Sequence, residues 1–312
     1  MSKYQAPQFS TALLHPKYWG VWLGFGLLFA TVTLLPYKAT YKLGRGIGLL
    51  ALKMGKTRSH VARRNLELAF PKMEAKERED IIVENFKNSG LAIFETAMAW
   101  VWPEWRINKH FSFENTQHVH DLAEQGKGAL IVIVHALNLE LTARVFTQIA
   151  PGHGVYRPHN NPAYDLIQYW GRTHYGNQVV DRKDVKEMIR LLRAGERVCY
   201  LPDHDYNRNK SVFVPFFAVP DACTTVGSDI LISASNCAVV TVSGFRTYNN
   251  YHLKVDNDIS SEFSKKDPIG TATRMNKAVE MVILRCIPQW MWLHKRFKTM
   301  EDPNIKKGIR YD

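Results

Sequence analysis

The pair of residues best suited to chemistry in this 312-residue chain is His135 and Glu140, in the segment His-Ala-Leu-Asn-Leu-Glu. A hydroxyl is a weak nucleophile that needs a base, and a neutral histidine can accept its proton near neutral pH. A carboxylate on the second ring nitrogen would fix the tautomer and stabilise the imidazolium that forms. We therefore expect His135 to act as a general base and Glu140 to orient it.

The spacing of this HX4E motif is weak evidence by itself, because a structural histidine or a contact within a helix turn would also produce it. On one continuous helix the two side chains would point about 140° apart. They can meet only if His135 lies in the turn before the helix that carries Glu140.

Further ionisable residues stand at the predicted ends of other elements. Arg172 lies near the end of a helix, Arg157 ends a strand, and Asp203 and His204 follow a strand in the segment Leu-Pro-Asp-His-Asp-Tyr. All could converge on one edge of a sheet. Simpler roles stay open: Arg172 could neutralise the dipole of its helix, and Asp203 could serve a turn. For Arg157 and for Arg182, which follows a short strand, surface contacts are the simpler role.

Alternating strand and helix patterns decide where these residues lie. The run Ala-Leu-Ile-Val-Ile-Val at 129–134 is typical of a strand buried on both faces. Other strands are predicted near 152–157, 178–180, 197–202, 212–217, 238–246 and 251–256. Helices are predicted near 59–70, 74–100, 138–149, 163–174, 183–194 and 271–287. This order predicts an α/β fold with a mainly parallel central sheet flanked by helices, which binds ligands at the carboxyl ends of its strands.

An uncharged run of 19 residues that begins at Tyr18 predicts a membrane anchor, near the lower length limit for a spanning helix. Eight lysines and arginines lie in the 27 residues from Lys38 onward, whereas only Lys3 and Lys17 precede the run. By the positive-inside rule, the body of the protein is then cytoplasmic. A helix that lies in the membrane interface is the alternative. The predicted organisation is a tail at 1–17, an anchor helix at 18–37 and a cytoplasmic catalytic domain at 38–312.

The net charge of +12 favours an acidic partner, which could be nucleic acid, an anionic membrane surface or an acidic protein. Nucleic acid is disfavoured, because no recognisable nucleic-acid motif is present and a membrane anchor already accounts for the charge. The four cysteines contain no CxxC pair, so they predict free, mostly buried thiols in a reducing compartment.

Eight ordered segments carry a resemblance to a known family. They are FSTALLHPKYW at 9–19, RNLELAFP at 64–71, FETAMAW at 94–100, VYRP at 155–158, DRKD at 181–184, LPDHDY at 201–206, VFVPFFA at 212–218 and WLHKRFKT at 292–299. The chain resembles the late acyltransferases of lipid A biosynthesis, in particular the lauroyl-transferring type, within the wider glycerolipid acyltransferase superfamily.

The resemblance implies direct acyl transfer at the cytoplasmic face of a bacterial inner membrane, without a cofactor or a metal. The donor would be an acyl thioester on acyl carrier protein. The acceptor would be the free hydroxyl of a hydroxyacyl chain on a Kdo-bearing, tetraacylated lipid A precursor. His135 would be the base and Glu140 its partner, and Arg172 and Asp203 match further positions linked to activity in the family.

Three other functions fit parts of the sequence. A lysophospholipid acyltransferase would keep the mechanism and change the acceptor. A metal-dependent phosphoesterase could use Asp203, His204 and Asp205 together with His135 and His174. A non-catalytic lipid-binding or scaffold protein would not depend on His135.

Overall fold

The computed structural model of the protein describes residues 5–247 and 250–312. The helices are α1 Trp19–Leu34, α2 Tyr37–Met54, α3 Lys56–Ala69, α4 Ala75–Val101, α5 Glu104–Asn108, α6 Gln117–Glu124, α7 Leu139–Ile149, α8 Pro162–Thr173, α9 Val185–Arg193, α10 Gly227–Ser235 and α11 Pro268–Leu284. The strands are β1 Phe111–Glu114, β2 Ala129–Val132, β3 His153–Tyr156, β4 Gln178–Asp181, β5 Arg197–Tyr200, β6 Ser211–Phe216, β7 Val219–Thr225, β8 Ala238–Arg246 and β9 Tyr251–Val255.

The central sheet has seven strands in the order β1-β9-β8-β2-β5-β3-β4. Its neighbours run parallel, except for β8 and β9, which pair antiparallel. The strands β6 and β7 form a separate antiparallel hairpin. Every residue of β2 is buried, as its apolar run predicts for a strand covered on both faces. The predicted α/β fold with a mainly parallel sheet and flanking helices is therefore confirmed.

The predicted elements of the body agree with the structure to within a few residues, but some elements were missed. A helix was expected to begin near residue 59, whereas α3 begins at Lys56 and the Ser59 hydroxyl donates to the Lys56 carbonyl inside it. The basic stretch after the apolar run forms α2. Its three internal glycines lower helix propensity, which obscured it in the sequence.

Two of those glycines, Gly44 and Gly48, allow α2 to lie directly against α4. A Cβ atom on Gly48 would come within 2.1 Å of the Phe86 carbonyl oxygen, and one on Gly90 within 2.2 Å of the Gly44 carbonyl oxygen. The backbones approach so closely that only glycine fits at the crossing.

The apolar run at the N-terminus does not form the expected spanning helix. Among the described residues, no helix combines the length and the apolar character that crossing a membrane requires. The helix α1 has 16 residues and ends before Leu35. Leu35 precedes Pro36, and the proline ring sterically disfavours the helical conformation of the residue before it. The prediction of a membrane-spanning helix at 18–37 is corrected accordingly. Residues 1–4 of the predicted tail, which include Lys3, lie outside the described residues.

A buried ion pair joins the helical layer to the sheet. Glu95 of α4 accepts hydrogen bonds from Arg246 Nε of β8 at 2.7 Å and from the Tyr251 hydroxyl of β9 at 2.6 Å. Arg246 Nη1 also donates to the Asn88 amide oxygen at 2.9 Å. The two charged side chains are only 1% and 3% exposed, so removing one leaves the other desolvated and uncompensated.

We expect Glu95→Ala to lower the free energy of unfolding by about 3–5 kcal/mol, because Arg246 would stay buried without its carboxylate. Denaturant unfolding of the purified protein measures this loss. The matched control is Glu79→Ala, which removes a carboxylate from the exposed Arg63–Glu79 pair and should cost about 1 kcal/mol or less. Equal losses in the two variants would contradict the role given to the buried pair.

Candidate active site

His135 lies at the centre of the sheet's carboxyl edge. It follows β2 by three residues and precedes α7, which begins at Leu139. The neighbouring Ala136 forms an isolated bridge with Trp290, which fixes the turn against the C-terminal segment. The prediction that His135 lies in the turn before the helix is confirmed.

The carboxylate that holds the His135 ring is Asp203. Its Oδ1 lies 2.7 Å from His135 Nδ1, and its Oδ2 accepts from the His135 backbone N–H at 2.8 Å and from Trp290 Nε1 at 2.7 Å. Because β5 is the parallel neighbour of β2, the segments that follow the two strands meet at one edge. Burial of the Asp203 side chain opposes its ionisation. The attraction and hydrogen bond of His135, together with Trp290, outweigh burial and hold the pKa of Asp203 well below its usual value.

Glu140 has different partners from the one expected. Arg172 Nε lies 3.0 Å and 3.2 Å from its two carboxylate oxygens, Arg172 Nη2 donates to the nearer of them, and Trp100 Nε1 donates to the other at 3.2 Å. The expected orienting contact of Glu140 with His135 is thus replaced by Asp203. Glu140 lies in the first turn of α7, where its side chain faces Trp100 of α4 and Arg172 of α8.

A glycine makes room for this second cluster. A Cβ atom on Gly171 would lie 2.3 Å from the indole ring of Trp100, so α8 and Trp100 can meet only at a glycine. Burial disfavours the charge on Arg172, but the Glu140 carboxylate outweighs it and raises the pKa of Arg172. Arg172 is therefore held as a permanent cation.

Two more histidines stack on the reactive one. The ring centroids of His135 and His204 are 3.5 Å apart with planes inclined by 8°, and those of His204 and His294 are 4.3 Å apart with planes inclined by 16°. Burial lowers the pKa of His204 to about 3, against the attraction of Asp203, and it lowers the pKa of His294 to about 4. Both rings are neutral near neutral pH. Sequence reasoning missed His294, whose only signal was its place in the WLHKRFKT segment.

The residues proposed for a metal-dependent phosphoesterase do not assemble into one site. Ligand atoms of His135, Asp203 and His204 lie within 4.8 Å of one another. However, the lone pairs of imidazole nitrogens lie in the ring planes, and the two nearly parallel rings direct them side by side rather than towards one point. His174 stacks on Trp170 instead, and Asp205 accepts from the backbone and side chain of Thr299 at 2.9 Å and 2.8 Å.

Arg157 and Arg182 follow β3 and β4 at the same carboxyl edge, where both are exposed. The backbone N–H of Arg182 donates to the Tyr156 carbonyl at 3.0 Å, which continues the pairing of the two strands. Neither side chain contributes to the hydrogen bonds around His135 or Glu140. The convergence predicted from the sequence therefore holds for His135, Asp203 and His204, with Glu140 and Arg172 as a second group.

A pocket lies between α4, α7, α8 and the strands β3 to β5. Glu140 and Arg172 line it, as do Ile133 and Leu139 on either side of the His135 turn. Most of its wall is apolar. Cys199 also lines it, and burial raises the pKa of this thiol to about 12, so the thiol is not an activated nucleophile.

A histidine held by a buried aspartate, at the carboxyl edge of a parallel sheet and near a mainly apolar pocket, is an arrangement that can accept a proton from a bound group. Residues 6–299 match the family described as bacterial lipid A biosynthesis acyltransferase. The chain belongs to this family, and it is an acyltransferase of lipid A biosynthesis.

Three relatives match this chain over nearly its whole length. The chain is 46% identical over 297 residues to the lipid A biosynthesis lauroyltransferase of Escherichia coli, which covers 94% of this chain and 96% of that protein. It is 43% identical over 317 residues to a lipid A biosynthesis acyltransferase of Haemophilus influenzae, with both chains covered completely. It is 40% identical over 294 residues to the lipid A biosynthesis palmitoleoyltransferase of E. coli, with 94% and 95% covered.

The depressed pKa of His204 predicts a pH-dependent stability. Well above pH 6.5 the His204 ring is neutral in both the folded and the unfolded state. Between pH 6.5 and pH 3 the ring takes up a proton in the unfolded state but not in the folded state. The free energy of unfolding therefore falls as the pH falls from 6.5 towards 3. Between pH 7 and pH 5 this contribution amounts to about 2 kcal/mol.

When the pH is lowered from 7 to 5, the free energy of unfolding should fall by about 2 kcal/mol less in His204→Gln than in the wild type. Urea unfolding at each pH measures both values. The exposed His120 provides the control, since His120→Gln should retain the pH dependence of the wild type. Parallel curves for wild type and His204→Gln would show that His204 is not held neutral by the fold.

Proposed function

We propose that the protein transfers an acyl chain, lauroyl, from acyl carrier protein to a hydroxyacyl hydroxyl of a Kdo-bearing, tetraacylated lipid A precursor, with His135 as general base. The single observation that carries the mechanism is the hydrogen bond between His135 Nδ1 and the buried Asp203 beside the apolar pocket. The 46% identity to a lauroyltransferase supports the choice of donor chain.

The bond to Asp203 determines which nitrogen reacts. With Nδ1–H donating to the ionised Asp203, the free lone pair is on Nε2 of His135. Nε2 accepts the proton of the acceptor hydroxyl as the oxygen attacks the thioester carbonyl. The new carbon–oxygen bond forms, the carbon–sulfur bond breaks, and the imidazolium returns the proton to the departing thiolate. No residue becomes acylated, and no cofactor or metal takes part.

Glu140 acts through Arg172 in this mechanism. Its two oxygens hold the guanidinium at the wall of the pocket, and Trp100 fixes the carboxylate from the other side. A cation held in this way can stabilise the negative charge that develops on the thioester oxygen, or bind a phosphate of the acceptor. Asp203 thereby takes the orienting role first expected of Glu140, and Glu140 becomes a positioning residue.

The direct test is acyl transfer in detergent micelles with lauroyl-acyl carrier protein and the Kdo-bearing precursor, followed by mass spectrometry of the lipid. We expect His135→Ala and Asp203→Asn each to lower kcat by roughly 10²–10⁴-fold, because the base or its tautomer is lost. His120→Gln should be unaffected.

Other outcomes would point elsewhere. Full activity of His135→Ala would contradict the base mechanism. Faster transfer to lysophosphatidic acid than to the lipid A precursor would favour the lysophospholipid acyltransferase. Loss of activity on adding a chelator, restored by a divalent cation, would contradict the metal-free mechanism. A wild-type protein that transfers no donor to any of these lipids would contradict the proposed reaction itself.

We also propose that α1 and α2 lie in the interface of the inner membrane on its cytoplasmic face. Trp19, Leu23 and Leu27 of α1 are 57%, 71% and 72% exposed, and their spacing places them on one stripe of the helix. Leu43, Ile47, Leu50 and Met54 form a second exposed apolar stripe on α2. Exposed lysines of α2 and α3 accompany it, as is typical of a helix that binds anionic lipids.

Replacing Leu23 and Leu27 together by glutamate should weaken binding to vesicles with anionic lipids by roughly tenfold or more, because buried apolar area is lost and negative charge is added. Flotation with such vesicles measures the bound fraction. Met281→Glu, at an exposed apolar position on α11, serves as the control and should bind as the wild type does. Unchanged flotation of the double variant would rule out α1 as the docking element.

A further inference from the structure

The residues that line the pocket beside Glu140 and Arg172 differ between its two ends. Near the sheet's carboxyl edge they include Glu140 and Tyr156. Gly154 lies two residues further back along β3, which is roughly 7 Å deeper. Arg144 lies one turn beyond Glu140 on α7, and Asn177 precedes β4, so both line the end of the pocket furthest from the reactive edge. We call this the inner end.

The inner end holds the buried charge of Arg144. Arg144 is 7% exposed, and its buried Nε has no hydrogen-bond partner among the described residues. Its guanidinium lies over the ring of Tyr175, 3.5 Å from the ring centroid. The Tyr175 hydroxyl donates to the Trp102 carbonyl at 3.0 Å, which fixes the ring. Burial lowers the pKa of Arg144 and outweighs the attraction of Tyr175 and Glu104.

We infer that Arg144, stacked on Tyr175, sets the length of the acyl chain that the enzyme accepts. This inference rests on the proposed function, since it assigns the pocket to the donor chain. Each methylene that enters the apolar part of the pocket strengthens binding by about 4-fold, which corresponds to ~0.8 kcal/mol. A methylene that reaches the guanidinium removes it from its remaining water and offers no hydrogen bond in return, so the gain stops there.

Replacing the charge should lengthen the preferred chain. In Arg144→Met an unbranched apolar side chain takes the place of the guanidinium. We expect the ratio of kcat/KM for myristoyl over lauroyl donors, which differ by two methylenes, to rise by about tenfold and by at most about 15-fold. The ratio is measured within each variant, so a smaller folded fraction does not affect it. Arg190→Met, at an exposed arginine of α9, should keep the wild-type ratio.

Filling the same end from the sheet side should have the opposite effect. A Cβ atom on Gly154 would meet only the Gln178 carbonyl oxygen at 3.8 Å, which is ordinary contact, and Gly154 lines the pocket, so this position has room for a Cβ atom. Valine is well suited to a strand. We expect Gly154→Val to shift the preference towards decanoyl over lauroyl donors by about fourfold or more, and this variant tests the inner end even if Arg144→Met folds poorly.

The outcomes distinguish a failure of this inference from a failure of the proposed function. An active wild type with the same chain-length ratios in Arg144→Met and Gly154→Val would overturn this inference and leave the proposed reaction intact. A wild type that transfers no acyl chain would overturn the proposed function and this inference with it. Opposite shifts in the two variants would support both.

Discussion

The ionised, fully buried carboxylate of Asp203 is the constraint on which the site depends. A buried carboxylate is tolerated only when hydrogen bonds and opposite charge compensate its lost hydration. Asp203 obtains hydrogen bonds from the backbone and ring of His135 and from the indole of Trp290, and the imidazolium that forms during proton transfer would supply the opposite charge. The same bonds fix the ring of His135, so the compensation of a buried charge and the alignment of a base are one arrangement.

The C-terminal segment around Trp290 is held in turn by asparagines of the helical layer. Asn85 of α4 donates to the carbonyls of Pro288 and Trp290 at 2.9 Å and 2.7 Å, and Asn65 of α3 donates to the carbonyls of Trp292 and His294 at 2.7 Å. These bonds satisfy backbone groups of a segment that, beyond the short 3-10 helix Ile287–Gln289, is neither helix nor strand. Segments far apart in the sequence, RNLELAFP and WLHKRFKT, therefore cooperate in positioning Trp290 and the histidine stack.

The pocket and the histidine stack lie at the same edge of the sheet but differ in polarity. At the carboxyl edge, the stacked imidazoles and the Glu140–Arg172 ion pair concentrate polar groups. In the pocket, apolar residues of α7, β3 and β5 extend inward. Such a division suits a substrate whose reacting carbon is polar and whose tail is not, because the tail gains burial while the reacting atoms meet fixed dipoles.

The sequence by itself determined the α/β alternation, the order of most elements and the place of His135 at the end of a buried strand, because these follow from local patterns of apolar residues and turns. It also carried the family, through ordered segments that extend from residue 9 to residue 299. It did not show α2, whose glycines mask a helix that exists because it packs against α4.

Only the tertiary structure decided which carboxylate meets His135. Glu140 is near in the chain, whereas Asp203 is 68 residues away and arrives because β5 lies beside β2 in the sheet. Spacing along the chain reports contacts within a turn or a helix, but neighbours across a parallel sheet are set by strand order. For the same reason, the pairing of Glu140 with Arg172 and the buried Arg144 at the inner end of the pocket emerged only when the helices were packed on the sheet.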